Sequence, residues 1–491
     1  MTEISATSRK LPEYKVKFIN ALIDSGALKL GADYALKSKR EAPYFLNIGG
    51  FNSGQTTSIL ANAYADAIAA TLKDEFDYIY GIPEKGVGLA PTTSMALDTQ
   101  HAIDSNWFFD RKGGAKEYGE ATNLSIEERL AKIFMGGVPK EGKRILIVDD
   151  VLTTGKTKFD AIENLTKFLP DRKIIGIMIA LDRQEVDIHG KSAMEEFTEK
   201  TGVPVYSILQ TTDIVQYMEE YPEHKDNQRR VSTYLRVYGT QEARVFVTPA
   251  IQAVPIMRSQ KSIIPACDTR DIHVFEELVK QTSDLEGIGG YKLGFMLSLT
   301  YGLPKVVEIA RKYTDKPLIY DHQKAATDIP DTAKDFMIIN KEAGINAVIL
   351  FPHTGPETER AWIYRAMDNG LGIIVGGIMT HPGYLVSEGG FIVDEGALSI
   401  YRIAAKAGVT NFVVPGTKPD LIKTARDIIE EQGIFPTFHA PGFGSSQGGN
   451  VDEVKKILGK AWNPIVGRQI LKAENGNFRR AAEELIEQLL R

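Results

Sequence analysis

The sequence has few of the features that mark secreted, membrane-spanning or nucleic-acid-binding proteins. Its single cysteine, Cys267, excludes a disulfide within the chain and fits a reducing compartment. No apolar run approaches the roughly 18 residues of a membrane helix, and residues 1–10, MTEISATSRK, lack a signal-peptide core. The net charge of −6 argues against nucleic acid as the main partner. We therefore expect a cytoplasmic protein with neither a membrane nor a nucleic-acid partner.

The composition that remains is typical of a globular protein with more than one domain. The chain has 491 residues, of which 43% are hydrophobic and 25% charged, and single cores stop growing well below this length. Residues 216–245 are dense in charge and weak in apolar periodicity. We therefore predict a first domain over residues 1–215, a linker over 216–250 with room for a helix, and a second domain over 251–491, in an α/β chain.

The most informative stretch of the first half is RILIVDDVLTTGKTKFDAI, residues 144–162. Its β-branched apolar start predicts a strand covered on both faces in a parallel sheet. The polar residues that follow are Asp149, Asp150, Thr153, Thr154 and Gly155. A helix beginning here would offer free N–H groups to a phosphate at the carboxyl edge of the sheet. Adjacent carboxylates would accept hydrogen bonds from ribose hydroxyls or hold Mg²⁺ through water.

This stretch also allows two other interpretations. Gly155-Lys156-Thr157 matches the end of the nucleotide-triphosphatase loop, but Asp150 stands in place of its first glycine. A polar loop with a helix cap is the simpler alternative, and the Thr-Thr-Gly sequence with a helix behind it makes that alternative less favourable. The stretch resembles the phosphoribosyl pyrophosphate (PRPP) loop of the type I phosphoribosyltransferases.

Cations and aromatic residues surround this stretch in sequence. Residues 36–54 contain Lys37 and Phe45, which would suit a flat anionic base or belong to a hairpin with a core phenylalanine. Lys85 follows a predicted strand, where it could meet a diphosphate. A glycine-containing segment, residues 106–123, is either a mobile cationic lid or a solvated surface; its cations are Arg111, Lys112 and Lys116.

Together these segments resemble orotate phosphoribosyltransferase over roughly residues 10–215, with Arg183 following another buried strand. The resemblance implies an open parallel sheet of the type I phosphoribosyltransferase fold. It implies that pyrophosphate is held by Lys85, Arg111, Lys112 and Lys116, with Lys116 also catalytic and the lid partly reaching a neighbouring subunit. It implies that the ribose phosphate is held by Asp149, Asp150, Thr153, Thr154 and Gly155, and orotate by Lys37, Phe45, Thr153 and Arg183.

The lid departs from the family pattern at two places. It has one residue more than the usual spacing, at Gly113-Gly114, and Tyr118 stands where the family usually has histidine. These departures affect the expected geometry of the lid and leave the expected reaction unchanged.

The second half alternates apolar strands with amphipathic helices. Eight strand-and-helix units between residues 262 and 470 predict a (β/α)₈ TIM barrel. The eight candidate strands are SIIPACD, GGYKLGF, KPLIYDHQK, NAVILFP, LGIIVGGIM, TNFVVPGT, IFPTFHAPGF and NPIVGRQI. No internal sequence repeat accompanies them.

Charged residues occur where these strands should end, at the face on which such barrels carry their active sites. They are Asp268, Lys292, Asp321, Lys324 and Asp328. Any one of them could belong to a structural ion pair, but the whole set on one rim favours function. The glycine-rich loop at residues 441–449 and the pair Gly467-Arg468 lie where such barrels commonly bind phosphate.

These residues resemble the charged network of orotidine monophosphate decarboxylase over roughly residues 260–475. The resemblance implies catalysis by Lys324 with Asp321, Asp328 and Lys292, and no cofactor or metal. Asp328, Ile329 and Thr332 would enter the site of a partner subunit. Nucleotide binding is implied for Asp268, Lys292, Ile329, Thr332, Thr380, Gln447, Gly467 and Arg468.

The spacing of the central motif is longer than expected. The family pattern is Asp-x-Lys-x-x-Asp, whereas this chain has one more residue in each gap between Asp321, Lys324 and Asp328. Residues i and i+3 of a regular strand point to opposite faces. We therefore predict a bulge or strand end between Asp321 and Lys324.

The product of the first implied reaction is the substrate of the second, so we expect a bifunctional enzyme that makes UMP from orotate and PRPP. Mg²⁺ would act with PRPP in the first step. The partners would be these small molecules and further copies of the chain, as a homodimer or higher homo-oligomer. Two alternatives stay open: another transferase fused to a Mg²⁺-dependent sugar-phosphate decarboxylase, and a PRPP-sensing regulator without catalysis.

Overall fold

A computed structural model describes residues 10–36, 38–111, 125–152, 155–248, 256–257, 259, 261–443, 451–459 and 462–490, apart from the side chain of Lys324. The chain divides into two compact units, Met1–Ala250 and Ile251–Arg491. Among the helices described, none has the length and apolar character needed to cross a membrane.

The first unit is built on a six-stranded sheet in the order β5-β4-β3-β6-β7-β8, with a separate antiparallel pair β1-β2. The six strands are parallel except for the antiparallel pair β4 and β5. Their bounds are β1 Leu28–Ala35, β2 Glu41–Leu46, β3 Tyr78–Gly81, β4 Asn106–Asp110, β5 Phe134–Gly136, β6 Arg144–Val151, β7 Lys173–Asp182 and β8 Val205–Gln210. The open parallel sheet predicted for this half is confirmed.

Helices lie in most of the connections between these strands. Several begin at a serine whose side chain accepts a backbone N–H, as Ser125 and Ser192 do. The helices that precede β8 are Glu13–Asp24, Gly54–Leu72, Gly86–His101, Ile126–Ile133, Lys156–Phe168 and Ala193–Thr201.

The segment predicted as a linker is helical and lies within the first compact unit. It contains parts or all of three helices, Thr211–Glu219, Lys225–Tyr238 and Gln241–Val247. The middle helix buries Val231, Tyr234, Leu235 and Tyr238, which share one face at helical spacing. Dense charge on the opposite face hid this apolar stripe in the sequence.

The second unit is a closed barrel of eight parallel strands, β9 to β16. The bounds are β9 Ile264–Cys267, β10 Tyr291–Gly294, β11 Leu318–Ala325, β12 Ala347–Leu350, β13 Gly372–Gly376, β14 Asn411–Val413, β15 Thr437–Pro441 and β16 Trp462–Val466. Six lie within predicted runs, and β11 and β16 each extend one residue beyond theirs, at Ala325 and Trp462, so the TIM barrel is confirmed.

Apolar side chains from alternate strand positions fill the barrel interior, and helices surround it. Ile319, Ile349, Ile374 and Ile465 belong to this interior cluster. The surrounding helices are Ile272–Thr282, Phe295–Tyr301, Leu303–Arg311, Thr332–Glu342, Pro356–Asp368, Asp394–Lys406, Pro419–Glu430, Val451–Leu458, Arg468–Leu471 and Phe478–Leu490.

Candidate active sites

A cavity opens at the carboxyl ends of the barrel strands. Its lining includes the predicted residues Asp268, Lys292, Asp321, Thr380, Gly467 and Arg468. These residues come from the ends of several strands because parallel strands bring their carboxyl ends to one rim. The structure therefore gathers most of the described residues that were predicted to bind the nucleotide.

Lys292 joins the two carboxylates at the floor of this cavity. Its Nζ lies 3.0 Å from Asp321 Oδ2 and 3.1 Å from Asp268 Oδ1. Burial acts to lower the pKa of Lys292, but the carboxylates of Asp321 and Asp268 outweigh it, and this pKa lies above its usual value. The group is thus an ammonium at neutral pH, and it pairs with both acids.

Gly294 makes room for this network, and the sequence analysis missed it. A Cβ atom at residue 294 would lie 2.2 Å from Asp268 Oδ1, far inside van der Waals contact. Any side chain here would displace the Asp268 carboxylate from Lys292. The only signal in the sequence is a glycine at the end of a predicted strand, which is ambiguous without the neighbouring strand.

Strand β11 contains the irregularity predicted between Asp321 and Lys324. Its pairing with β12 shifts between Tyr320 and Ala325, and Gln323 has a φ of 54°, in the left-handed region that non-glycine residues seldom occupy. The backbone N–H of Gln323 donates to Asp321 Oδ1 at 2.9 Å. The prediction of a bulge or strand end is confirmed.

Gln323 itself lines the cavity, and the sequence analysis did not name it. The available signal was the longer Asp-to-Lys spacing, since the extra residue has to lie somewhere on the rim. Together with Lys292, the Gln323 N–H holds both oxygens of the Asp321 carboxylate in place.

Three predicted residues lie on the segment after β11 and do not line this cavity. Ile329 is 58% exposed, its N–H donates to Asp328 Oδ1 at 2.8 Å, and its carbonyl accepts from Thr332 Oγ1 at 2.8 Å. This placement leaves the predicted contact with a partner subunit untested. Gln447 and the side chain of Lys324 lie outside the described part of the chain.

In the first unit, the adjacent acids at the end of β6 have separate cationic partners. Asp150 pairs with Lys85, which follows β3. Asp149 pairs with Lys158 at 2.5 Å, and both side chains are almost fully buried. Burial raises the pKa of Asp149, and Lys158 opposes that shift. Lys158 was missed by the sequence analysis, which had no signal that distinguishes it from a surface lysine.

Gly155 is the N-cap of the helix Lys156–Phe168, which follows this strand. Its φ of 70° is left-handed, and a Cβ would lie 3.0 Å from the ring of Phe159. Glycine is therefore required both for the backbone conformation and for the close approach. The neighbouring Thr153 and Thr154 lie outside the described residues.

Of the other residues predicted to bind substrates in the first half, the structure describes Arg111, Phe45 and Arg183. Arg111 follows β4, and its Nε donates to the carbonyl of Phe134 at 3.2 Å. The ring of Phe45 is partly buried, with its centroid 6.0 Å from that of Tyr34. Lys37, Lys112, Lys116, Gly113, Gly114 and Tyr118 fall outside the part of the chain that the structure describes.

The guanidinium of Arg183 contacts two side chains of the first unit. Its Nη2 lies 2.6 Å from Glu185 Oε1, and its guanidinium carbon is 4.5 Å from the centroid of the Tyr44 ring. The predicted carboxylate clamp therefore has an internal partner in this structure. Within the residues described, no group of three His, Cys, Asp or Glu side chains is arranged to hold a metal ion.

Comparison with known families covers both units. A phosphoribosyl transferase domain model matches residues 52–197, and the orotidine 5'-phosphate decarboxylase/HUMPS family model matches residues 261–485. The orotate phosphoribosyltransferase of Pseudomonas putida is 36% identical over 226 residues, which are 46% of this chain and 98% of that protein. That of Cronobacter sakazakii is 34% identical over the same shares.

Two solved structures are also similar, each to about half of the chain. The orotate phosphoribosyltransferase of Francisella tularensis has 28% identity and a TM-score of 0.38, with 45% of this chain and 99% of that chain covered. The orotidine 5'-monophosphate decarboxylase of Methanocaldococcus jannaschii has 25% identity and a TM-score of 0.41, with 47% and 99% covered.

Proposed function

Because this chain belongs to the orotate phosphoribosyltransferases through its first half and carries an orotidine 5'-phosphate decarboxylase domain in its second, we propose that it converts orotate and PRPP to UMP. The first half would join orotate to the ribose phosphate with release of pyrophosphate. The second would remove CO₂ from the orotidine monophosphate that results. Both steps of de novo pyrimidine synthesis would then reside in one polypeptide.

The observation that carries the second step is the Asp268–Lys292–Asp321 network on the rim of the barrel. Its ammonium lies within 3.2 Å of both carboxylates. The alternative, a Mg²⁺-dependent sugar-phosphate decarboxylase, would need these acids as metal ligands. Since Lys292 already donates hydrogen bonds to both carboxylates, the network favours a nucleotide decarboxylase.

In the first reaction, cations would stabilise the departing pyrophosphate while carboxylates orient the ribose. Lys85 pairs with Asp150 in this structure, and we propose that it moves to the diphosphate while Asp150 accepts from a ribose hydroxyl. Asp149, fixed by Lys158, would hold the second hydroxyl. The remaining PRPP contacts proposed are Arg111, Lys112, Lys116, Thr153, Thr154 and Gly155.

Mg²⁺ would bind with PRPP to this edge of the sheet. The residues fit such a role because Mg²⁺ is commonly held by one or two carboxylates together with substrate phosphates, and Asp150 is the accessible acid. The bound ion would neutralise charge on the diphosphate. For orotate we propose Lys37, Phe45, Thr153 and Arg183, where the pairing with Glu185 orients the guanidinium.

In the second reaction, we propose that Lys324 stabilises the carbanion and supplies its proton while Asp321 faces the departing carboxylate. Two like charges about 4 Å apart repel by about 4 kcal/mol at an effective dielectric of 20, or roughly three decades in rate. Lys292 lies 3.0 Å from Asp321, so the repulsion is smaller than this. Preorganised charge around the carbanion and closure of the phosphate loop would supply the larger share.

The nucleotide would be read by Thr380 and held at its phosphate by Gln447, Gly467 and Arg468. We also propose that the site is completed across a homodimer or higher homo-oligomer. The exposed position of Ile329 after β11 supports this arrangement, with Asp328, Ile329 and Thr332 entering the partner's site.

The test is to give the purified chain orotate, PRPP and Mg²⁺ and to resolve orotidine monophosphate from UMP over time. We expect UMP from the wild type and accumulation of orotidine monophosphate in Lys324→Ala. Binding of PRPP without turnover would indicate a regulator instead. A wild type that stops at orotidine monophosphate would contradict the second step, and unconsumed orotate would contradict the first.

A further inference from the structure

The side chain of Gln323 faces the barrel cavity with a hydrogen-bonding atom unused. Its Oε1 is buried and has no hydrogen-bond partner among the described residues, although the residue lines the cavity beside Asp321. A buried carbonyl oxygen without a hydrogen-bond partner destabilises the folded state. This oxygen is therefore available to a group that the described residues do not supply.

A second glutamine in the chain shows what the same geometry looks like when it serves structure alone. Gln184 also has a left-handed φ, of 53°, and its N–H donates to Asp182 Oδ1 at 2.8 Å. Its Oε1, however, accepts the backbone N–H of Thr212 at 2.9 Å. The Oε1 of the glutamine in the first unit thus has an internal partner, and that of the barrel glutamine has none within the described part of the chain.

We propose that Gln323 contacts the substrate of the decarboxylase and accepts a hydrogen bond from its nucleoside part. A carboxamide oxygen only accepts, and so do a phosphate dianion and a carboxylate. The donors left on the nucleotide are the ribose hydroxyls and the ring N–H. The inference rests on the proposed function, and it assigns the extra residue of the Asp-to-Lys spacing a role in substrate recognition.

The experiment compares UMP binding by calorimetry in the wild-type chain, Gln323→Met and Gln323→Gly. Methionine keeps the size without the acceptor, and glycine keeps the left-handed backbone. We expect both variants to bind UMP roughly 3- to 10-fold more weakly, with a parallel rise in KM for orotidine monophosphate. A UMP analogue lacking the donor, either 2'-deoxy-UMP or 3-methyl-UMP, should bind the wild type and Gln323→Met equally, which identifies the donor.

Gln184→Met is the matched control and should bind UMP as the wild type does. If both Gln323 variants bind UMP as tightly as the wild type, the proposal is overturned. Weaker UMP binding in Gln323→Met but not in Gln323→Gly would also overturn the proposal, because the methionine side chain would then be crowding the site. A wild-type chain that binds no UMP contradicts the proposed function itself, which separates the two failures.

Discussion

Two turns of identical form, one in each unit, differ in what they leave open. Asp182 is the last residue of β7 and is followed by Arg183-Gln184, whereas Asp321-His322-Gln323 lies inside β11, near its end. In both, a glutamine in the left-handed region donates its N–H to the aspartate two residues earlier, at 2.8 Å and 2.9 Å. The same backbone turn thus follows one parallel strand and interrupts another.

The side chains give the two turns different uses. In the first, Gln184 Oε1 accepts from Thr212 N, its carbonyl accepts from Thr240 N, and Arg183 pairs with Glu185. In the second, Asp321 and Gln323 face a cavity. When the polar groups of a turn are hydrogen-bonded within the chain, the turn stabilises the fold. A turn that has an unpaired polar atom beside a cavity can instead bind a ligand.

The largest expected effect comes from removing the cation of the open turn. Lys292→Met removes the ammonium that joins Asp268 and Asp321, which favours uptake of a proton by one of the two acids. We expect decarboxylation to fall by roughly 100- to 1,000-fold, and the free energy of unfolding to fall by about 3–5 kcal/mol. Both are measured on the full chain, by UMP formation from orotidine monophosphate and by urea unfolding.

Transferase activity of the same variant is the control for a general loss of structure. Orotidine monophosphate formation from orotate should stay near the wild-type rate, because Lys292 belongs to the barrel unit. Near-normal decarboxylation in Lys292→Met would show that the buried network is structural, and the contrast between the two turns would lose its functional meaning.

The sequence predicts the architecture better than it predicts the sites. Eight apolar runs suffice for the barrel because each strand is buried on both faces and carries its own signal. The irregularity in β11 was also predictable, since Asp321 and Lys324 cannot share a face of a regular strand. By contrast, Gly294, Gln323 and Lys158 act through neighbours that only the fold supplies.

The helix Lys225–Tyr238 shows the same limit at the level of fold. Its charged face dominates the local composition, and its buried stripe has meaning only against the strand and helices on which it packs. A linker was the natural prediction from charge density. That prediction left room for a helix, and the periodicity at i, i+3, i+4 and i+7 is the signal that indicates one.

A second prediction contrasts the acid responses of the two units. Burial lowers the pKa of His439 in β15 to about 3; its Nε2 lies 3.1 Å from Asn411 Oδ1. The folded imidazole stays neutral as pH falls from 6.5 towards 3, while the unfolded one gains a proton, so stability is full above 6.5 and declines below it. At pH 5 the loss should be about 2 kcal/mol.

In the first unit, hydrogen bonds from Arg144 lower the pKa of Asp77 to about 2, so its contribution is present above pH 4 and lost only as pH falls towards 2. Urea unfolding at pH 7 and pH 5 should therefore differ more for the wild type than for His439→Gln, which keeps a donor towards Asn411. Equal differences in the two proteins would show that other groups govern the acid response.

The smallest effect separates the two glutamines by stability. Gln184→Met leaves the buried N–H of Thr212 without its acceptor and should lower the free energy of unfolding by about 1–2 kcal/mol. Gln323→Gly removes an unsatisfied oxygen and fits a φ of 54°, so urea unfolding should show no loss, or a small gain. Should Gln323→Gly destabilise the chain as much as Gln184→Met does, both turns would be structural. The stability data would then give no support to substrate binding by the Gln323 carboxamide.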